Sequence, residues 1–184
     1  MKRHKLSGVG AAIITPFKSD FSIDWDALAH MIDYVIEGGT NYIVALGTTA
    51  ETPTLSPEEK NEIIRFTREH IAGRVPLVVG AGGNDTAKVI RQINEMDLEG
   101  VEALLSVTPY YNKPSQEGLY RHFKAVAEAS PRPIILYNVP GRTGVNMTAE
   151  TTCRLANDVE NIIAVKEASG KIDQIDQIIK NRPK

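Results

Sequence analysis

Short apolar runs alternate with segments whose apolar residues recur at helical spacing, and this alternation continues along the whole sequence. The runs are GVGAAIIT from Gly8, YIVALG from Tyr42, PLVVGAG from Pro76, ALLSVTP from Ala103, PIILYNVP from Pro133 and IIAVKEAS from Ile162. Between the first two, Leu28, Met31, Ile32, Val35 and Ile36 lie on one helical face, and Gly38-Gly39 stops that helix. Ser56-Pro57-Glu58-Glu59 reads as a capping box with proline at the first helical position. Asp85 and Ser115 suit the N-caps of a third and a fourth helix, and Leu119, Phe123, Val126 and Ala127 give the fourth a buried stripe. Thr148 opens a fifth helix, and Lys171 to Lys180 reads as a sixth.

Strands without a polar face must be covered on both sides, which calls for a parallel sheet dressed with helices. Six βα units in 184 residues average about 31 residues each. An open doubly wound sheet and a (β/α)8 TIM barrel both fit that rhythm. A barrel typically needs roughly 250 residues, so this chain would supply about six of its eight units.

With 21 basic and 23 acidic side chains, the composition argues against a nucleic-acid or membrane-surface partner, either of which favours a basic excess. No segment approaches the roughly 20 apolar residues of a membrane span, and the apolar stretch behind MKRHKLSG ends early, at Thr15-Pro16. Cys153 is the sole cysteine, so no intrachain disulfide can form and the cytoplasm is the expected compartment. Its side chain reads as a small hydrophobe on a helix. His4, His30, His70 and His122 lack metal-ligand spacing, and GAGGND from Gly80 has Asp85 where a dinucleotide fingerprint needs its third glycine. Neither feature reads as a metal or dinucleotide site.

In either α/β architecture, chemistry gathers beyond the C-terminal ends of the strands. Those ends carry Thr48 and Thr49, then Tyr110 and Tyr111, then Tyr137 with Arg142 shortly after, and finally Lys166. Taken singly, Tyr137 could be a capped core aromatic, the threonines a strand stop, and Arg142 a solvated surface residue. Lys166 is harder to explain as structure, because desolvating an ammonium at the end of an apolar strand costs several kcal/mol. A lysine in such surroundings loses proton affinity, towards about pH 7–8 in catalytic cases. Its neutral amine can attack a ketone and form a Schiff base. The protonated imine is an electron sink, so a neighbouring methyl can lose a proton and become an enamine. A phenol suits the proton traffic, and a threonine pair on a tight turn suits a substrate carboxylate.

GTTAETPTLSPEE, TPYYNKPSQEGLYRHF, YNVPGRTG and VKEASG, in this order, closely resemble the dihydrodipicolinate synthase family of pyruvate-dependent class I aldolases, which also holds the N-acetylneuraminate lyases. The resemblance runs from about Val9 to Asp173 and implies a (β/α)8 barrel. It implies 4-hydroxy-tetrahydrodipicolinate synthase activity, in which pyruvate condenses onto Lys166 and the enamine attacks L-aspartate 4-semialdehyde in lysine (diaminopimelate) biosynthesis. By the same matching Tyr137 shuttles protons through Thr48 and Tyr111, with Tyr111 inserted into a neighbouring subunit. Thr49 holds the pyruvate carboxylate, Arg142 orients the relay and binds the aldehyde, and no metal or organic cofactor is needed. The implied assembly is a homo-oligomer, a tetramer of dimers in the full-length family. A sibling lyase of the N-acetylneuraminate or keto-deoxy-sugar type, or an inactive truncated fragment, are the alternatives.

Three departures from the family pattern bear on those expectations. Ala50 replaces a common glycine, which would distort the carboxylate turn if that position needs a positive φ. Feedback-sensitive members bind lysine with histidines and an acidic residue where Pro57, Lys60 and Lys88 stand here, so lysine inhibition is expected to be weak or absent. The third is length: residues 1–184 read as a single incomplete barrel domain, the N-terminal part, without the last two units and a C-terminal helical segment.

Overall fold

A computed structural model describes residues 6–183. His4 and the start of MKRHKLSG therefore lie outside the described residues. Two compact units divide the chain, one of Met1–Gly80 with Met96–Ala103 and the other of Ala81–Glu95 with Leu104–Lys184.

The first unit contains β1 (Gly10–Ala12), α1 (Trp25–Glu37), β2 (Tyr42–Ala45), α2 (Pro57–Ile71) and β3 (Leu77–Gly80). β1 pairs with β2 and β2 with β3, all parallel, with Ala11 opposite Ile43 and Val44 opposite Val78. Leu28 and Ile32 of α1 and Ile63 and Ile64 of α2 are almost wholly buried, as are Ile43 and Val78 of the sheet. Ser56 caps α2 as expected: its hydroxyl accepts the Glu59 N–H at 3.2 Å and the Glu59 carboxylate accepts the Ser56 N–H at 2.7 Å. Past the end of β2, Leu46 takes a φ of 54° and turns its carbonyl towards Gly80. A Cβ at residue 80 would stand 1.8 Å from that oxygen, so the close approach requires glycine.

β4 (Val101–Val107) has residues in both units. The second unit adds α3 (Thr86–Glu95), α4 (Gln116–Ala129), β5 (Ile134–Asn138), α5 (Pro140–Thr143), α6 (Ala149–Asp158), β6 (Ile162–Glu167) and α7 (Ile172–Asn181). β4 pairs with β5 and β5 with β6, again parallel, with a register shift at Ile134/Ile135. Phe123, Leu119, Leu104, Ile134, Leu136 and Met147 form the best-buried part of its core. All six strands and six expected helices are present. The short α5 was not expected, nor were the 3-10 turns at Thr48–Ala50 and Thr52–Thr54.

β6 departs from expectation in burial. Only Ile162 is fully buried; Ile163 and Val165 are half-buried, and Ala164 and Lys166 are exposed. It pairs with β5, and residues of α6 and α7 lie against one of its faces.

His122 on α4 is 5% exposed, and its Nδ1 lies 2.9 Å from the Thr86 hydroxyl of α3. Burial pushes its pKa from 6.5 down to about 4. The unfolded chain therefore takes up the proton first as pH falls. Stability from the neutral ring is complete above pH 6.5 and lost progressively down to about pH 4, up to roughly 3 kcal/mol. Urea melts at pH 7 and pH 4.5 should show a smaller loss for His122→Gln than for the parent protein. Equal losses would remove His122 as the source.

Candidate active site

Lys166 and Tyr137 occupy paired positions on β6 and β5, so they share one face of the sheet. The Lys166 Nζ stands 4.6 Å from the centroid of the Tyr137 ring, a cation–π contact. Tyr137 is 7% exposed, and its carbonyl accepts the Thr108 N–H at 2.9 Å, which ties the end of β4 to β5. Among the side chains singled out at the strand ends, these two are in direct contact.

Tyr111 follows β4 on a turn under strain. Its φ is 73°, and the Asn112 N–H donates to the Tyr110 carbonyl at 2.9 Å, the bond of a γ-turn centred on Tyr111. An aromatic residue in this region costs about 1–3 kcal/mol and persists only where its surroundings over-determine it. Asn84 and Asn112 do so: the Asn84 amide donates to the Tyr110 carbonyl at 3.1 Å, and the Asn112 amide donates to the Asn84 carbonyl at 2.9 Å. The turn presents Tyr111 outward, with the residue 89% exposed. Arg142 is exposed on α5, a single turn that begins with Pro140 and ends at Gly144 with φ 73°.

Thr48 and Thr49 belong to the first unit, where both are exposed on the 3-10 turn after β2. The first N–H groups of such a turn have no partner within it, which leaves donors for an anion. Its underside is fixed by the Thr15 hydroxyl, which donates to the Ala50 carbonyl at 2.9 Å, and by the Thr52 hydroxyl, which donates to the Gly47 carbonyl at 2.9 Å. The left-handed residue is Glu51, with φ 53° and ψ 31°, whereas Ala50 is not among the positive-φ residues. Alanine at position 50 is therefore compatible with the turn.

Two polar residues of this region were missed by the sequence reading. Asn138 is wholly buried beside Tyr137, and Glu167, next to Lys166, accepts its amide at 3.0 and 3.1 Å. The available signal was a polar side chain at the buried end of an apolar strand, where its hydrogen bonds must be found within the protein.

The remaining candidates stay structural. Cys153 is 9% exposed on α6, and burial pushes its thiol pKa up, away from reactivity. His70 does meet a carboxylate, Asp33 at 3.0 Å, but Arg74 fills the second Asp33 oxygen at 2.7 Å and holds its carboxyl below the usual range. Among the described residues, no cluster of three His, Cys, Asp or Glu side chains could hold a metal, and no helix is long and apolar enough to cross a membrane.

Parallel strands in chain order, each followed by helix, with polar side chains at their C-terminal ends, are the pattern of a (β/α)8 barrel with about six units present, and the solved structures it matches share that fold. A structure of dihydrodipicolinate synthase from Thermotoga maritima matches 97% of this chain and 60% of its own with a TM-score of 0.93 at 43% identity. The model of the dihydrodipicolinate synthetase family matches residues 5–184, and the chain belongs to that family. The 4-hydroxy-tetrahydrodipicolinate synthase of Parabacteroides distasonis is 59% identical over 97% of this chain and 60% of its own length. The enzyme of the same name from Phocaeicola vulgatus is 57% identical over 100% of this chain and 62% of its own length. The chain thus spans about three-fifths of the length of the curated relatives it matches.

Proposed function

We propose that this chain carries the imine-forming residues of a 4-hydroxy-tetrahydrodipicolinate synthase, a lyase that condenses pyruvate with L-aspartate 4-semialdehyde on the route to diaminopimelate and lysine. The observation that carries the reading is the contact of Lys166 with Tyr137 at matched strand ends, a primary amine beside a phenol. The uncharged Lys166 amine attacks C2 of pyruvate, and the carbinolamine loses water to give the protonated imine. C3 then gives up a proton, and the resulting enamine forms a carbon–carbon bond to the aldehyde carbon, whose oxygen takes a proton. The amino group of the semialdehyde finally displaces Lys166 and closes the ring.

Tyr137, Thr48 and Tyr111 form the proton relay in this reading, Thr49 holds the pyruvate carboxylate, and Arg142 receives the acceptor. The outward, strained presentation of Tyr111 supports its reach into a neighbouring copy within a homo-oligomer. One similar solved structure is described as a monomeric dihydrodipicolinate synthase variant, so the homo-oligomer is part of the proposal. The names of the relatives support the choice of acceptor, and the cytoplasm is the proposed compartment for such soluble substrates.

The test is borohydride reduction of the protein with pyruvate, followed by turnover with either L-aspartate 4-semialdehyde or a sugar aldehyde. A reduced pyruvate adduct on Lys166 with turnover of the semialdehyde supports the synthase. An adduct with turnover of the sugar alone identifies a sibling lyase, and no adduct at all identifies an inactive fragment. Lysine regulation gives a further expected outcome. Pro57 and Lys88 are exposed and Lys60 is half-buried. Two ammonium groups repel that of the effector, so millimolar lysine should leave the full-length enzyme essentially uninhibited, and strong inhibition would refute the assignment.

A further inference from the structure

We infer that Glu167, with Asn138, is a positioning residue that sets Lys166 against Tyr137, a role that rests on the imine chemistry proposed above. Successive strand residues point to opposite faces. The pair Tyr137–Lys166 therefore lies on one face, and the next pair in register, Asn138–Glu167, lies directly behind it on the other. The Glu167 carboxylate is half-buried and, among the described residues, has no cation in its hydrogen-bond shell. Its partners are neutral donors instead. Oε1 accepts the Ser169 N–H at 2.8 Å and the Asn138 amide at 3.1 Å, while Oε2 accepts that same amide at 3.0 Å and the Gln174 amide at 2.9 Å.

Each donor comes from a different piece of backbone. Asn138 lies on β5, Gln174 on α7, and Ser169 in the turn that leaves β6. The clamp is tied down in its turn. The Asn138 side-chain oxygen accepts the Met147 N–H at 2.9 Å, and the Gln174 amide also donates to the Met147 carbonyl at 3.1 Å. A surface ion pair would hold β6 loosely, because exposed charges are screened. A part-buried carboxylate with several charge-assisted bonds fixes strand height and twist far more tightly. Lys166 is exposed and meets the Tyr137 ring from a paired strand, so the placement of its amine follows that of β6 itself. The negative charge points away from Lys166, so the clamp acts through geometry.

The experiment is a time course of borohydride trapping by the full-length protein with pyruvate, read by mass at Lys166, in parent, Glu167→Gln and Asn138→Asp forms. Glu167→Gln sets an amide against amide donors. It should slow imine formation about 10- to 100-fold, the scale of a 1 Å misplacement, while half-saturation by pyruvate moves less than about threefold. Asn138→Asp places two carboxylates in register, and one of them must take up a proton to act as donor. Its rate relative to the parent should therefore recover as pH falls from about 8 to about 6. A purely structural lesion would lower that ratio uniformly. Unchanged rates in both variants, or a flat ratio for Asn138→Asp, would overturn the inference while the parent still traps pyruvate. Failure of the parent to trap pyruvate would sink the proposed chemistry itself, and this inference with it. If Glu167→Gln does not fold, the pH ratio of Asn138→Asp decides alone.

Discussion

Lys166→Ala should abolish the borohydride-reducible pyruvate adduct and lower turnover by on the order of 10⁴-fold or more, as loss of a covalent nucleophile does elsewhere. Lys166→Arg sharpens the test. It keeps a cation that can lie over the Tyr137 ring, yet a guanidinium stays protonated and forms no imine. If charge above the ring were the function, arginine would rescue; if the nucleophile is the function, both variants fail alike. Neither change should unfold the protein, because Lys166 is exposed and its contact is with the face of a ring held by β5. Their melts should match the parent closely. Turnover of either variant at the parent rate, with the fold intact, would end the Schiff-base account.

The strands were legible because each is a short apolar run bounded by turn residues, and the helices because their caps are local chemistry. Ser56, Asp85, Ser115 and Thr148 each accept a backbone N–H from the first turn of the helix they open. Less legible was anything set by long-range placement. Ile162 to Val165 reads as a strand covered on both faces, but cover depends on what packs there. The short helix at Pro140–Thr143 was not expected, since a four-residue turn has too little periodicity to announce itself. β1 shrinks to Gly10–Ala12 from an apolar run of eight, because periodicity marks apolar stretches and pairing decides how much of them is strand.

The site divides along similar lines. Lys166 stood out because a charge at the end of an apolar run contradicts its neighbours. Tyr111 could be named from its motif, but its φ of 73° and the Asn84–Asn112 lock could not. These depend on a contact across 28 residues of sequence. Asn138 and Glu167 sat inside the quoted motifs YNVPGRTG and VKEASG and were still missed. Side chains on the reacting face suggest chemistry directly, whereas those behind it acquire meaning only once strand register is known.

Tyr137→Phe should lower turnover by about 10²- to 10⁴-fold, the usual contribution of a positioned proton-transfer group, with little change in pyruvate half-saturation. The substitution is clean because it removes one oxygen. The ring remains buried beneath Lys166, so the cation–π contact and the packing of β5 survive, and the melt should shift only slightly. Imine formation and carbon–carbon bond formation both move protons, so the loss should appear in the rate of adduct build-up and in turnover, while the final amount trapped with excess pyruvate stays high. That combination separates proton shuttling from binding. A ring that merely props Lys166 would leave both rates as they are. A phenol that holds pyruvate would raise the half-saturation and spare the saturated rate. Parent-like kinetics in Tyr137→Phe would remove Tyr137 from the relay and leave Thr48 and Tyr111 to account for the protons.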